Sequence, residues 1–522
     1  MTVTAKEKSK VRVFRYNPDT DQDPKYVNYM IPYDPGQTKV LDGLIYIYEH
    51  IDGSLSFRSA CKGYKRCGLC ALNVNGKPGL ACLTPLQKET TLEPLPSFPV
   101  IKDLVIDRSS MEKRIERLMP FLCRIHSPKE EPESIDPQMY SVYGSLSLCM
   151  ECYICAAMCP VYLNEPREFV GPIAFVSLAQ RLFDPRDELD RASLAVLEGI
   201  YDCSLCGKCE EACPFNNHFK ITRDAIRPLF RAATERGIGP PPAVEELVSR
   251  AISTGRVIEP EGITLLEELP EIIKPAKLHT QRVAVFLGCM FNYPLNNVGK
   301  AAIRVVSNQG IEVILPKDQI CCGMPMFWEG RKDIFERFVR RNVEVFERTG
   351  VKTVISLCSA CSMAWKEDLM KMAEEIFGRK PRFNVLDIHE FLAKQIDENT
   401  LKSIREKPVK VTYSEPCHLH FINVTKEPRR LLEAIPDIQF IEMPNSDDCC
   451  GGFLRIRKRR RVADSIGKRK LEHAMQTDPD IIATACPMCL NQIKAMAEKA
   501  GQKNLEIKSI VELLDQALES PR

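Results

Sequence analysis

The cysteines constrain this chain more than any other feature of its sequence. Twenty-three of them stand in 522 residues, and the amino-terminal stretch MTVTAKEKSKVRVF lacks the apolar core of a secretory signal. We therefore expect a cytoplasmic protein, where reducing conditions disfavour structural disulfides and favour thiolates that bind metal. The spacing of the cysteines indicates which metal sites these are.

Length and composition limit the class of protein. A chain of 522 residues exceeds what one hydrophobic core usually spans, so several domains are expected. The formal charge of +2 gives no reason to expect nucleic acid as a partner, and 44% hydrophobic residues are typical of a soluble globular chain. No segment approaches the roughly 18 to 20 consecutive apolar residues that a bilayer span requires.

Residues 1–105 predict a small α+β domain with one metal-binding loop. Short β patterns occur at residues 10–16 and 27–31, and apolar residues recur at helical spacing over 40–48. The loop has the spacing C-x5-C-x2-C-x11-C, which is typical of a [2Fe–2S] centre. The plant-type pattern has four residues in the first gap where this chain has five, and a structural zinc site is the alternative. The predicted ligands are Cys61, Cys67, Cys70 and Cys82.

Residues 106–236 predict a helical domain with two [4Fe–4S] clusters. The run C-x2-C-x2-C-x3-C-P occurs twice, and in such pairs the fourth cysteine of each run binds the other cluster. Zinc is again the alternative. The first predicted ligand set is Cys149, Cys152, Cys155 and Cys213. The second is Cys203, Cys206, Cys209 and Cys159.

Residues 237–280 are rich in proline and predict a linker with one short helix near 244–251. After it, five cysteines recur at a constant sequence offset of 128, which divides the remainder into repeats at 281–407 and 408–522. Strand-like runs precede most of these cysteines, so each repeat predicts an α/β domain with thiols at the carboxyl ends of strands. Five thiols exceed the four that zinc takes, although zinc in one repeat is an alternative. The pairs are Cys289/Cys417, Cys321/Cys449, Cys322/Cys450, Cys358/Cys486 and Cys361/Cys489.

Other residues near these motifs admit two interpretations each. The basic residues at 455 and 457–461 either attract anionic substrates or form a solvated face or subunit contact. His418 and His420 either serve the metal site or hydrogen-bond to backbone. Trp328 is expected to pack in the core, and Cys123, outside every motif, is expected to be a small buried hydrophobe.

Residues 1–236 resemble the iron–sulfur subunits of succinate dehydrogenases and fumarate reductases. The resemblance rests on the helix KVLDGLIYI, the loop ending NGKPGLAC, the run PLPSFPVIKDLVID and the paired ferredoxin motifs. It implies a β-grasp fold for the [2Fe–2S] domain. In that family the third cluster is usually [3Fe–4S], because one ligand position is not cysteine. Here Cys206 fills this position, which implies a [4Fe–4S] cluster and argues against the usual adjoining quinone site.

Residues 281–522 resemble the paired CCG domains of heterodisulfide reductases, in which each complete motif binds a noncubane iron–sulfur cluster. The fusion resembles the iron–sulfur subunits of thiol:fumarate reductases. This resemblance implies that the ten repeat cysteines serve two noncubane clusters, where coenzyme M and coenzyme B thiols are oxidised to their heterodisulfide.

No G-x-G-x-x-G motif follows a strand, so an FAD-containing flavoprotein partner is expected to reduce fumarate to succinate. Two alternatives remain at this point. The chain could be the iron–sulfur subunit of a quinone-linked succinate dehydrogenase or fumarate reductase, or a pure electron-relay subunit.

Overall fold

Alternating apolar residues build the amino-terminal sheet, in which Val11, Val13 and Ile31 are fully buried. A computed structural model describes residues 7–61, 65–128, 133–259, 262–275 and 281–518. The chain divides into two units, the first comprising Met1–Cys203 with Gly207–Ala233 and the second Ser204–Cys206 with Thr234–Arg522. The domain boundaries expected within these units stay predictions.

The first unit begins with a five-stranded sheet and one helix. Strand β1 pairs antiparallel with β2 and parallel with β5, and the sheet order is β2-β1-β5-β3-β4. A separate hairpin, β6 and β7, follows. The elements are β1 (Glu7–Arg15), β2 (Lys25–Tyr33), α1 (Val40–His50), β3 (Ala71–Val74), β4 (Lys77–Leu80), β5 (Glu89–Glu93), β6 (Val100–Lys102) and β7 (Val105–Ile106).

Arg15, at the end of β1, ties this small domain together. Its Nε donates to Asp103 Oδ1 at 3.0 Å, in the β6–β7 turn, and its guanidinium also donates to Asp52 and to Ser54 Oγ beyond α1. The Tyr29 hydroxyl donates to Asp52 at 2.7 Å. Because these partners come from several segments, one guanidinium fixes the positions of the sheet, the helix end and the hairpin.

The rest of the first unit is helical. Several helices span about one turn, and the proline after the first ferredoxin run, Pro160, begins one of them at a position where its missing N–H costs no helical hydrogen bond. Cys123 is only half-buried, so the expectation of a buried hydrophobe is wrong. The helices are α2 (Ser109–Arg117), α3 (Pro137–Leu146), α4 (Ile154–Ala157), α5 (Pro160–Asn164), α6 (Pro172–Leu182), α7 (Arg191–Leu197), α8 (Lys208–Glu211) and α9 (Arg227–Glu235), with a 3-10 turn at Ile200–Asp202 and a π-helical turn at Ile221–Ile226.

The second unit contains two α/β halves. The first sheet has the order β12-β11-β9-β10-β8, in which only the edge strand β8 is antiparallel. The part of the predicted linker at 272–273 therefore contributes an edge strand to the first half. The elements up to the second repeat are α10 (Pro242–Thr254), α11 (Leu265–Glu268), β8 (Ile272–Ile273), β9 (Arg282–Phe286), α12 (Gly288–Asn292), α13 (Asn296–Asn308), β10 (Glu312–Ile314), α14 (Met324–Trp328), α15 (Lys332–Arg348), β11 (Thr353–Ser356), α16 (Ser359–Ala364), α17 (Met370–Phe377), β12 (Asn384–Asp387) and α18 (Ile388–Gln395), with a π-helical turn at Trp365–Leu369 and a 3-10 turn at Glu398–Thr400.

The second sheet, of order β14-β13-β15-β16, is parallel throughout. Strand β15 is buried along its whole length, as expected for a parallel strand covered on both faces. The bounds of β11 and β15 differ by the cysteine offset, and so do the first residues of α15 and α21, so the sequence repeat is also structural. The elements are β13 (Val409–Ser414), α19 (Cys417–Phe421), α20 (Lys426–Glu433), β14 (Ile438–Phe440), a 3-10 turn (Gly452–Arg455), α21 (Arg460–Met475), β15 (Ile481–Thr484), α22 (Pro487–Lys499), β16 (Glu506–Ser509) and α23 (Ile510–Leu518).

Among the described residues, no helix combines the length and apolar character that crossing a membrane requires.

Candidate metal centres

The four cysteines of the amino-terminal loop lie close together. Cys70 and Cys82 are buried, whereas Cys61 and Cys67 are partly exposed. Burial raises the pKa of Cys82 to about 12, and the neighbouring thiols of Cys70, Cys61 and Cys67 contribute to the rise. Such a cluster of thiols fits a metal centre, which binds thiolates and removes their mutual repulsion. Part of the five-residue first gap, at 62–64, lies outside the described residues.

Gly68 of this loop contacts the first ferredoxin motif. Its backbone is left-handed, with φ +68°, and an added Cβ would lie 2.7 Å from the carbonyl oxygen of Met150 and 3.0 Å from Cys152 Cβ. Only glycine fits here without moving one of the two segments. The loop and the motif are therefore in direct backbone contact.

Cys149, Cys152 and Cys155 form one group with the distant Cys213. Burial raises the pKa of Cys149 to about 11 and that of Cys152 to about 12, and in both cases the Cys213 thiol contributes. This proximity supports the crossed ligand set expected from the paired motifs. Three cysteines of the second ligand set, Cys159, Cys203 and Cys209, are buried in the first unit. The fourth, Cys206, belongs to the segment Ser204–Cys206, which is part of the second unit.

The two ferredoxin runs also share their backbone conformation. Glu151 and Tyr153 are left-handed, as are Leu205 and Gly207, which occupy the equivalent positions of the second run. Left-handed residues between cysteines turn successive peptide N–H groups toward one point, an arrangement that stabilises negatively charged sulfur clusters. Sequence spacing indicates the cysteines, but not these conformations.

All ten cysteines of the two repeats line one cavity of about 340 Å³ in the second unit. None of the ten forms a disulfide. Much of the remaining wall is apolar and includes Met290, Met324, Phe453 and Met488. The cysteines that the sequence places in two sites therefore face a common space from two sides.

Each repeat holds its sulfurs by the same contacts. Cys322 Sγ lies 3.5 Å from Cys361 Sγ, and the equivalent Cys450 and Cys489 sulfurs are 3.2 Å apart. The backbone N–H of Gly323 donates to Cys321 Sγ at 3.4 Å, and Gly451 repeats this contact with Cys449 Sγ at 3.2 Å. Peptide donors to sulfur stabilise thiolates, which are the metal-binding form of cysteine.

The glycine of each CCG motif is required by the turn it makes. Gly323 and Gly451 have φ of +80° and +79°. A Cβ at Gly323 would lie 2.9 Å from the Phe335 ring, and one at Gly451 would lie 2.7 Å from the carbonyl oxygen of Ala463. Phe335 and Ala463 are themselves equivalent, so each motif packs against the same position of α15 or α21.

One buried polar residue in each repeat, missed by sequence analysis, holds the backbone at the start of the CCG motif. Asn342 Nδ2 donates to the Cys321 carbonyl at 2.9 Å, and the equivalent Lys470 Nζ donates to the Asp448 carbonyl at 2.8 Å. Both side chains are almost fully buried. Aligning the repeats would have revealed them as polar residues on the buried faces of α15 and α21.

The sulfur pairs polarise one another. Hydrogen bonds from Cys321 and Cys361 hold the pKa of Cys322 well below its usual value, while the pKa values of both donors are raised. In the second repeat, a hydrogen bond from Cys489 lowers the pKa of Cys486 to about 7. The five thiols of each repeat, all buried except the partly exposed Cys417, fit an iron–sulfur cluster and exceed the four ligands of zinc.

The histidines flanking Cys417 differ in environment. His418 lines the cavity, and burial lowers its pKa to about 4. Its ring lies edge-on to Trp328, with centroids 5.4 Å apart; Trp328 is buried, so its expected packing role is confirmed. His420 Nδ1 instead lies 2.6 Å from Glu415.

The basic residues at 455–461 do not form one surface. Arg455 lines the cavity and pairs with Asp464 at 2.6 Å, whereas Lys458 pairs with Glu246 at 3.0 Å. Arg457 is fully buried against Glu329. The interpretation of this run as a single solvated face is therefore wrong.

Similarities to known proteins follow the same division. The chain matches a 2Fe-2S iron-sulfur cluster binding domain over residues 10–113, a 4Fe-4S dicluster domain over 145–217, and a cysteine-rich domain twice, over 283–366 and 411–494. A crystal structure of a hypothetical protein from Helicobacter pylori aligns over 100% of this chain and 97% of its own, with a TM-score of 0.64 and 13% identity, which is a likeness of fold alone.

Curated relatives cover different shares of this chain. A fumarate reductase iron-sulfur subunit of Mycobacterium tuberculosis is 37% identical over 39% of this chain and 85% of its own. One subunit of the dihydromethanophenazine:CoB–CoM heterodisulfide reductase of Methanosarcina barkeri is 26% identical over 72% and 94%. One subunit of the CoM/CoB fumarate reductase of Methanothermobacter marburgensis is 36% identical over 97% and 99%. The chain therefore belongs to the family of this CoM/CoB fumarate reductase subunit, whose members join fumarate reductase-like and heterodisulfide reductase-like parts in one iron–sulfur protein.

Proposed function

We propose that this chain is the thiol-oxidising and electron-transferring subunit of a thiol:fumarate reductase. The observation that carries the proposal is the single cavity into which both five-cysteine sets open. Two thiols that are to be joined must reach one space, and two separate sites would not bring them together. Coenzyme M and coenzyme B are the proposed thiols, following the relative named for them.

The 22 motif cysteines are the proposed ligands, with the sets expected from the sequence. Iron–sulfur clusters on these thiolates, noncubane in the two repeats, would accept the two electrons released when two thiols become a disulfide. We also propose that the amino-terminal sheet is a β-grasp fold. Its five strands and single helix are compatible with that fold.

The cavity's own residues support thiol binding. Met290, Met324 and Met488 give it a polarisable, apolar lining that suits sulfur-containing ligands and keeps water out. His418 Nε2 is buried without a hydrogen-bond partner in the described part of the chain, so we propose that this atom accepts a hydrogen bond from the S–H group of a bound thiol. The two protons and two electrons of each reaction leave the thiols, and fumarate takes up the same number to become succinate.

The proposed partner is an FAD-containing flavoprotein of the fumarate reductase type. The amino-terminal part resembles iron–sulfur subunits of fumarate reductases, and this chain carries no sequence fingerprint for a dinucleotide cofactor of its own. Electrons would leave the repeats for the ferredoxin and [2Fe–2S] centres and then reach the flavin.

Substituting one cavity cysteine tests this proposal in the complex with the flavoprotein. Cys450→Ala should abolish thiol oxidation, because an iron loses its ligand beside the bound thiol. Fumarate reduction from a one-electron dye should largely survive, since the dye delivers electrons to the amino-terminal centres. Cys123→Ala, outside every motif, is the control and should leave both activities unchanged. Thiol oxidation that survives Cys450→Ala would refute the assignment of the reaction to this cavity.

A further inference from the structure

Glu329 and Arg457 occupy equivalent positions in the two repeats. Each lies seven residues after the second cysteine of its CCG motif, and their numbers differ by the repeat offset of 128. In the structure they contact each other: Arg457 Nε donates to Glu329 Oε1 at 2.7 Å, and a second guanidinium nitrogen lies 2.6 Å from the same oxygen. Contact between equivalent positions is what a twofold relation between the repeats produces at its axis.

Burial distinguishes this ion pair from an exposed pair that also joins the two repeats. The two side chains are 0% and 1% exposed, whereas another ion pair between the repeats, Arg304 with Asp515, has a half-exposed arginine. Removing two charges from water costs about as much as their attraction returns, so a buried pair contributes little net stability. Its effect is to penalise any arrangement in which one charge loses the other.

The pair is attached to the cavity walls on both sides. Glu329 directly follows α14, whose Met324 lines the cavity. Arg457 follows the 3-10 turn Gly452–Arg455, and its guanidinium lies 5.2 Å from the ring centroid of Phe453, another cavity residue. The Phe453 ring is in turn 5.8 Å from that of Trp328 in α14. The ion pair and these rings therefore join the two turns that immediately follow the CCG motifs.

The opposite charges of Glu329 and Arg457 also favour contact between the two unlike repeats over contact between two identical ones. At a twofold axis, identical residues would place two carboxylates or two guanidinium groups against each other, which is repulsive in a buried site. A glutamate in one repeat and an arginine in the other are attractive only when the two unlike halves meet.

We propose that Glu329 and Arg457 form a positioning pair, which sets the separation of the two CCG motifs and so the distance between the two thiols to be joined. This inference rests on the proposed function. Disulfide formation needs two sulfur atoms in near-attack contact, and a displacement of about 1 Å at a reacting pair costs about 100-fold in rate.

The test uses the full chain in its flavoprotein complex. Glu329→Gln keeps the shape and removes the charge; it should lower kcat for thiol oxidation about 10- to 100-fold, with KM within about threefold and dye-linked fumarate reduction unchanged. Cryo-EM should show the Cα atoms of Cys322 and Cys450 moving apart, while iron content stays constant. Arg457→Lys keeps the positive charge but loses the planar guanidinium that donates two hydrogen bonds. It should lower kcat and move the two Cα atoms apart by less than Glu329→Gln does.

The control is Arg304→Gln, which removes the half-exposed ion pair between the repeats and should change neither kcat nor the Cα separation. The charge swap Glu329→Arg with Arg457→Glu should recover at least tenfold over Glu329→Gln, because it restores the pair. An unmoved Cα separation and an unchanged kcat in Glu329→Gln would overturn the inference while leaving the function intact. A changed separation in a complex whose unmutated form oxidises no thiol would instead refute the function and retain the pair.

Discussion

Cys450 Sγ lies 3.2 Å from Cys489 Sγ, at the wall of a cavity that the equivalent sulfurs of the first repeat also line. Neither sulfur forms a disulfide, and a hydrogen bond from Cys489 lowers the pKa of Cys450. Two buried sulfurs this close together suit metal binding, which requires deprotonated cysteines and releases their protons.

Metal analysis tests the full set of centres. Protein purified without oxygen should contain roughly 18 irons per chain, from one [2Fe–2S] and four four-iron clusters. Zinc in stoichiometric amounts, with about four irons fewer, would contradict a cluster in one of the repeats. Iron quantification together with zinc analysis of the same sample decides between these results.

The CCG glycines should be intolerant of a side chain. Gly451→Ala should destabilise the second unit by about 3 kcal/mol or more, because alanine adds left-handed strain of about 1 to 2 kcal/mol and its Cβ meets the Ala463 carbonyl. Gly378→Ala is the matched control: its φ is +65° but nothing lies within 4 Å, so only the strain remains. Urea unfolding measures both, and equal losses would show that the close packing contributes nothing.

The Arg15 network predicts a pH-dependent stability of the first unit. Hydrogen bonds from Ser54, Tyr29 and Arg15 hold the pKa of Asp52 well below its usual value. The stabilisation is therefore present above the unfolded pKa of about 4 and is lost as the pH falls toward the folded pKa. Asp52→Asn should cost about 2 kcal/mol at pH 7 and progressively less below about pH 4.

Urea unfolding at several pH values measures the difference in unfolding free energy of the first unit between Asp52→Asn and the unmutated chain. Asp23→Asn, at an exposed position, serves as the control and should leave the stability unchanged. A loss for Asp52→Asn that is independent of pH would indicate altered packing rather than a lost charge interaction.

Arg455 is the basic residue of the 455–461 run that reaches the cavity. If it attracts anionic thiols, Arg455→Gln should raise KM about three- to tenfold at low salt and less at high salt, because ionic strength screens exposed charges. The rise in KM should be modest because Asp464 already neutralises part of the Arg455 charge. An unchanged KM at low salt would show that Arg455 does not attract the substrate and only contacts Asp464 and Gln492.

Local patterns were sufficient to predict much of this structure. Apolar runs placed β11 and β15, helical spacing placed α15, and the constant cysteine offset predicted two equivalent halves. Cysteine spacing predicted ligand sets, which stay predictions, because ligands of one metal centre are often close in sequence. The meeting of the two cysteine sets in one cavity depends on long-range packing, which spacing does not specify.

Several buried polar residues could not be predicted from local sequence patterns. Arg457 looked like part of a solvated basic run, since arginine is rarely buried without a partner, and its partner Glu329 lies in the other repeat. Asn342 and Lys470 instead bond to backbone carbonyls 21 and 22 residues earlier in their own repeats. Both kinds of contact depend on tertiary packing, which local sequence patterns do not specify.

The proposed coupling of thiol oxidation to fumarate reduction can be measured as a ratio of products. The unmutated complex of this chain with its flavoprotein is supplied with coenzyme M, coenzyme B and fumarate without oxygen, and heterodisulfide and succinate are quantified. We expect one heterodisulfide for each succinate, because both half-reactions transfer two electrons. Succinate formed from a quinol, with none formed from the thiols, would contradict the proposed thiol-oxidising function.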